Sequence, residues 1–317
     1  MEYRKLGKSD MRISPVCLGS WVFGGDSWGR ADDEESVRVV KRAVEKGINF
    51  IDTAPVYGSG RAERVIGRAI RDMPEKPLIA TKCGLQMKGR SIRPNLSAEF
   101  IREEVENSLR RLNVDRIDLY QCHWPDPRTS LEETFSALLE LRDEGKIRYA
   151  GLSNFQAEEM SRAADRGVAV SDQVRYSVLD RDVEEELIPL CGEKGFSLLC
   201  YGTLGGGILT GKYSTCPDFP RGDVRSFFYK YYREPFWSRA RRVVDVMEEV
   251  ASRRGVPVSQ VAVNWVLGHD EVAGCIVGCR DLEQLESNAG AADWALDAGD
   301  VDIIEKSHAE AFSGQIR

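Results

Sequence analysis

The sequence predicts one domain over residues 1–317, a (β/α)8 barrel of the TIM type with an N-terminal β-hairpin and additional helices. Three observations carry this expectation. Short apolar runs alternate eight times with amphipathic stretches, the pattern of β–α units. The open-sheet alternative should place a G-x-G-x-x-G turn after its first strand, but Gly19-Ser-Trp-Val-Phe-Gly24 stands there. Gly58-Ser-Gly60 begins correctly, yet Glu63 occupies the third glycine position. Finally, no linker or change of composition divides the chain, and its length somewhat exceeds the roughly 250 residues of a bare barrel.

Taken in order, residues 3–6 and 11–13 read as the hairpin. Strands are expected at 15–18, 49–52, 78–82, 117–122, 149–152, 170–175, 197–201 and 274–277. Helices are expected at 33–46, 62–71, 97–112, 131–144, 157–166 and 183–194. Leu131, Phe135, Leu138, Leu139 and Leu141 show the helical spacing well. Gly47, Gly145, Gly167 and Gly195 stand where a helix should end and the next strand begin. Ser97 suits an N-cap, with carboxylates in the turn that follows. The hairpin and two extra helices account for the surplus length.

Composition narrows the class. With 42% hydrophobic and 30% charged residues the chain reads as a globular enzyme. A net charge of −7 argues against a nucleic-acid binder, which needs a basic face to meet phosphates. No stretch reaches the roughly 20 apolar residues of a membrane helix, and residues 1–15 lack the apolar core of a secretion signal. The eight cysteines form no Cys-x-x-Cys pair, so no zinc or dithiol motif is expected. Several lie in apolar runs as small core residues. A cytoplasmic protein with reduced thiols and no metal is expected.

In a barrel of this type the chemistry sits at the C-terminal ends of the strands. There the sequence places Asp52, then Tyr57 on the following loop, Lys82, Gln121-Cys-His123, Ser153-Asn154, Gln173 and Tyr201. Singly, each has an ordinary structural role: a cap, a rim ion pair, a hydrogen-bonded core histidine. Together they make a device. A tyrosine hydroxyl titrates near 10 and needs help to trade protons near neutrality. A neighbouring Lys82 is expected to lower that value, with Asp52 holding the lysine and His123 polarising a carbonyl.

These residues sit in segments that resemble the aldo-keto reductase family: Phe50-Ile-Asp52-Thr-Ala-Pro-Val-Tyr57-Gly-Ser-Gly-Arg-Ala-Glu63, the strand ending in Lys82, and His123-Trp-Pro-Asp. Gly151-Leu-Ser-Asn-Phe155, Gln173-Val-Arg-Tyr-Ser177 and Leu209-Thr-Gly-Lys-Tyr213 extend the resemblance over about residues 4–288. It implies hydride transfer between a nicotinamide and a carbonyl or alcohol. It also implies a catalytic tetrad of Asp52, Tyr57, Lys82 and His123, with Tyr57 as general acid/base.

The same resemblance implies the cofactor site. Asp52, Ser153, Asn154 and Gln173 would surround the nicotinamide carboxamide and Tyr201 would stack on its ring. Gly202, Thr203, Leu204 and Gly206 would approach the pyrophosphate. Here Gly202-Thr203 replaces the family's Ser-Pro, which puts side-chain contacts to the phosphates in question. Gly19, Ser20, Trp21 and Gly278 would complete the walls, with Lys212 and Arg225 as further phosphate candidates. Arg280 would meet a 2′-phosphate, with Gln284 and Asn288 facing the adenine. That arginine favours NADPH over NADH, with NADH also possible.

Trp21, Trp28, Tyr57 and Trp124 would wall an apolar substrate pocket. The aromatic-rich stretch 227–237 reads equally as a pocket lid or as a loop covering the barrel. The expected partner is a small carbonyl or alcohol, including sugars and polyols. From another class comes a cofactor-sensing module with slow turnover, as the potassium-channel β subunits of this fold are. A barrel hydrolase using metal or paired carboxylates lacks a ligand cluster.

Overall fold

The computed structural model describes residues 1–25, 27–89 and 91–313. The chain opens on an antiparallel hairpin, β1 (Arg4–Lys5) and β2 (Arg12–Ile13). Then follow β3 (Val16–Gly19), α1 (Asp33–Glu45), β4 (Phe50–Asp52), α2 (Arg61–Ile70) and β5 (Leu78–Cys83). A second hairpin, β6 (Leu85–Lys88) with β7 (Ser91–Pro94), leads into α3 (Ala98–Leu112). Next come β8 (Ile117–Cys122), α4 (Leu131–Asp143), β9 (Ile147–Ser153), α5 (Ala157–Asp165), β10 (Ala169–Arg175), α6 (Leu187–Lys194) and β11 (Ser197–Tyr201). The last part holds α7 (Arg225–Phe228), α8 (Phe236–Arg254), α9 (Val258–Leu267), β12 (Val272–Gly278), α10 (Leu282–Ala289) and α11 (Ala298–Phe312).

Eight parallel strands close a barrel in the order β3, β4, β5, β8, β9, β10, β11, β12. The expected barrel, N-terminal hairpin and extra helices are all present. The two longest additions, α8 and α11, pack on each other. Leu6, Met11 and Ile13 of the first hairpin are buried with Phe50, Leu119 and Leu199, closing the barrel at the end opposite the strand C-termini. Among the described residues no helix is long and apolar enough to cross a membrane.

Local chemistry sets the helix ends. Ser97 caps α3 by accepting from the Phe100 amide, and Gly195 ends α6 in the left-handed region that favours glycine. The helix expected at 183–194 is divided. A 3-10 turn takes Asp182–Glu184 and α6 starts only at Leu187, because Pro189 lacks an amide hydrogen and fits only a first helical turn. The second hairpin was not foreseen.

Candidate active site

Asp52 ends β4 and pairs with Ala80 of the neighbouring β5, and Lys82 lies two residues further along that strand. Lys82 Nζ donates to both Asp52 oxygens, at 2.8 and 2.7 Å, and to the Thr53 carbonyl at 2.9 Å. The same ammonium reaches the Tyr57 hydroxyl at 3.4 Å. Tyr57 is brought there by the tight turn after β4. Gly58 follows it with φ 59°, and a Cβ there would lie 2.4 Å from the Gly24 carbonyl oxygen. His123 follows β8 and sets its ring edge-on to Tyr57, 6.0 Å between centroids. The four expected catalytic residues therefore form one cluster.

Its electrostatics differ from the expectation in one respect. Burial, and then the Asp52 charge, push the Tyr57 hydroxyl well above its usual value. Lys82, paired with Asp52 in the same desolvated cluster, does not outweigh these effects. Burial also lowers Lys82, against support from Asp52. Burial and then the Lys82 charge hold His123 well below its usual value, so its ring is neutral near pH 7. The cluster presents a phenol that keeps its proton and an uncharged imidazole.

Asp52 is a hub. Gln173 Nε2 donates to its Oδ1 at 2.7 Å, and Gln121 Nε2 reaches the same oxygen at 3.5 Å. Asn154 adopts φ 63° and is engaged at both ends: Nδ2 donates to the His123 carbonyl and Ser153 Oγ, and Oδ1 accepts from the Tyr201 hydroxyl at 2.8 Å. The Ser153 hydroxyl donates to the Gln173 carbonyl. One side-chain web thus joins the ends of β4, β9, β10 and β11.

A cleft of about 850 Å³ opens over this cluster. Asp52, Tyr57 and His123 line it, as do Ser153, Asn154, Gln173 and Tyr201. Gly202, Thr203, Leu204, Gly206 and Lys212 form its continuation, followed by Gly278, Arg280, Gln284 and Asn288. Gly19, Trp21, Trp28, Trp124 and Arg225 also line it. Two expected residues do not. Lys82 lies fully buried behind Asp52, and Ser20 is turned inward by the 3-10 turn beginning at Trp21. The Ser20 hydroxyl is buried without a partner, while its amide donates to the Asp52 carbonyl at 3.0 Å.

The expected cations are placed differently from one another. Arg225 is paired with Asp223 through two bonds and stacks over Phe219, so its charge is already met. Lys212 has no carboxylate partner among the described residues and lies over the Tyr213 ring. Arg280 is exposed and donates to the Trp28 carbonyl. Asn288 is buried against Cys279, while Gln284 Oε1 accepts from the Arg280 amide.

The aromatic stretch 227–237 splits in two. Phe227, Phe228 and Tyr229 line the cleft, whereas Tyr231 is buried with its hydroxyl on the Leu179 carbonyl. Trp21 stacks on Tyr57 at 5.8 Å and meets Trp28 and Phe228 edge-on. Sequence reasoning missed Leu85 and Ile92 of the second hairpin, which line the cleft as well. The alternation of apolar and polar residues on either side of Gly89 was the available signal.

A model of the Aldo/keto reductase family matches residues 15–309. The chain belongs to the aldo/keto reductase family. An aldo-keto reductase of Bacillus subtilis (strain 168) is 35% identical over 95% of this chain and 91% of its own length. An NADH-specific methylglyoxal reductase of Escherichia coli (strain K12) is 34% identical, covering 95% of this chain and 96% of the relative. Among solved structures, the glycerol dehydrogenase of Gluconobacter oxydans superposes with a TM-score of 0.91 at 35% identity, over 100% of this chain and 98% of that one. This chain is therefore an oxidoreductase of the aldo/keto reductase family on a TIM barrel.

Proposed function

We propose that this aldo/keto reductase is an NADP(H)-dependent carbonyl reductase, with Tyr57 as general acid toward an aldehyde or ketone. The observation that carries the reading is the Lys82 ammonium, clamped by both Asp52 oxygens and 3.4 Å from the Tyr57 hydroxyl.

The cleft has the chemistry to hold the dinucleotide. Ser153, Asn154 and Gln173 flank a carboxamide site, where Gln173 still has its amide oxygen to offer. The Tyr201 ring is fixed by Asn154 as a stacking surface. From Gly202 to Gly206 the backbone turns through left-handed glycines, and a Cβ on Gly206 would lie 2.8 Å from the Tyr229 ring. Thr203, standing where the family has proline, has a buried hydroxyl without a protein partner. This segment, with Leu204 and Lys212, suits a pyrophosphate, while Arg225, already paired with Asp223, adds a wall of the cleft and no spare charge. Gly19, Trp21 and Gly278 complete the walls. Arg280 suits a 2′-phosphate, with Gln284 and Asn288 on the adenine side. NADH remains a weaker second cofactor.

When bound, the nicotinamide supplies the hydride. Burial keeps the proton on Tyr57, which gives it to the carbonyl oxygen. Lys82 stabilises the phenolate left behind, and Asp52 keeps Lys82 charged against its desolvation. The neutral His123 ring donates a hydrogen bond to the same oxygen, so the developing alkoxide meets two fixed donors. Alcohol oxidation needs the phenolate as base, which burial opposes, so oxidation should require a higher pH than reduction.

The test is NADPH consumption with a panel of aldehydes and ketones, beside cofactor fluorescence on binding. Turnover with NADPH exceeding that with NADH supports the reading. Tight cofactor binding without turnover of any carbonyl would replace it with a cofactor-sensing role.

A further inference from the structure

The second hairpin has two chemically distinct faces. Leu85 pairs with Pro94 and Met87 with Ile92, while Gln86 pairs with Arg93 and Lys88 with Ser91. Directly opposed residues of an antiparallel pair lie on one face. Leu85, Met87, Ile92 and Pro94 therefore share an apolar face, and the polar residues share the other. Among the described residues the hairpin joins no other sheet. Such an isolated pair of strands is marginal in water unless its apolar face is covered.

That face is only partly covered. Met87 is 46% exposed and Ile92 51%. Leu85 and Ile92 line the cleft that also holds Tyr57 and His123, so the apolar face is continuous with the catalytic mouth. Trp124, 39% exposed, and Phe227, 66% exposed, line the same cleft from two other elements. Singly, exposed apolar residues are ordinary on a protein surface. Converging on one cleft, they form a patch with a direction, running outward from the proton donor.

We propose that this rim binds the apolar tail of the carbonyl substrate, making long-chain and aryl aldehydes the preferred substrates over polyols and their short carbonyl relatives. The proposal rests on the carbonyl-reductase reading above. Beyond Tyr57 and His123 the walls here are Trp21, Val56, Leu85, Ile92, Trp124 and Phe227. Apart from the indole N–H groups of Trp21 and Trp124, none offers a polar partner to the extra oxygens of a polyol. An aliphatic tail needs no such partner and covers the face the hairpin leaves open.

The experiment compares kcat/KM for NADPH-dependent reduction of propanal, pentanal, hexanal and octanal, with glyceraldehyde as the hydroxylated control. Each methylene that reaches the rim should raise kcat/KM by roughly two- to fourfold. Glyceraldehyde should fall below propanal. Phe227→Ser and the double substitution Met87→Ser with Ile92→Ser lie on separate elements and should each lower the octanal-to-propanal ratio by about tenfold. A flat wild-type series, or a slope that neither variant changes, overturns the proposal while leaving the reductase reading in place. Absence of turnover with every aldehyde instead removes the reductase reading, and this proposal with it. Sedimentation decides the remaining occupant. If the wild type self-associates, the serine variants are monomeric and the slope is unchanged, the rim is a contact between two copies of this chain and the proposal fails.

Discussion

Gln173 donates its side-chain amide to Asp52 Oδ1 at 2.7 Å, crossing the barrel from β10 to the buried Asp52–Lys82 pair. One residue thereby belongs to both the proposed carboxamide site and the buried ion pair. A hydrogen bond to a charged, buried group contributes roughly 1.5–3 kcal/mol. Gln173→Leu should therefore lower folding stability by about that amount and also weaken cofactor binding. Urea unfolding and a cofactor fluorescence titration read the two losses. A variant with wild-type values in both would separate Gln173 from the pair.

Arg280 governs cofactor choice in this account. Its guanidinium is exposed, and among the described residues it hydrogen-bonds only the Trp28 carbonyl. Charge-assisted contacts to a phosphate are worth roughly 1.5–3 kcal/mol, about ten- to a hundredfold in affinity. Arg280→Ala should weaken NADPH by that factor and leave NADH nearly unchanged, as measured by parallel titrations. Equal losses for both cofactors would remove the 2′-phosphate assignment.

Asp172 sets a pH dependence of stability. It precedes Gln173 and so points to the outer side of β10, fully buried, with neither carboxylate oxygen hydrogen-bonded. Amides of Phe155, Gln173 and Asn154 lie near without meeting hydrogen-bond geometry. Burial raises its pKa from 3.8 to about 8. Between those values the unfolded chain has released the proton while the folded chain retains it, so this residue's contribution to stability is lost as pH rises. Asp172→Asn removes the dependence. Its stability relative to the wild type should climb between about pH 4 and 8, by up to about 1.4 kcal/mol per pH unit, and level off above. Urea midpoints across that range check it, and a difference independent of pH would contradict it.

The tetrad was legible because strand ends announce themselves: Asp52, Lys82 and His123 each close an apolar run, and a closed barrel turns all such ends to one mouth. Burial was not legible. The sequence places a lysine near Tyr57, but only the fold shows that the hydroxyl is buried and that both Asp52 oxygens already hold the lysine, which reverses the direction assigned to Tyr57. Pro189 divided a helix whose apolar spacing looked continuous. The β6–β7 hairpin escaped notice because its strands are four residues each, too short for alternation to stand out from a loop. Arg225 is a phosphate candidate by sequence, and the fold pairs its guanidinium with Asp223, two residues before it.

Tyr57 is the proposed proton donor. Tyr57→Phe keeps the ring stacked on Trp21 and deletes only the hydroxyl beside Lys82. The decisive measurement is the single-turnover rate of NADPH oxidation with any aldehyde the wild type reduces, made beside a cofactor titration. General acid–base catalysis typically contributes roughly 10²–10⁴-fold. The expected loss lies in that range, with cofactor affinity retained. A variant that keeps more than about a tenth of the wild-type rate, far short of the usual general-acid loss, would contradict it.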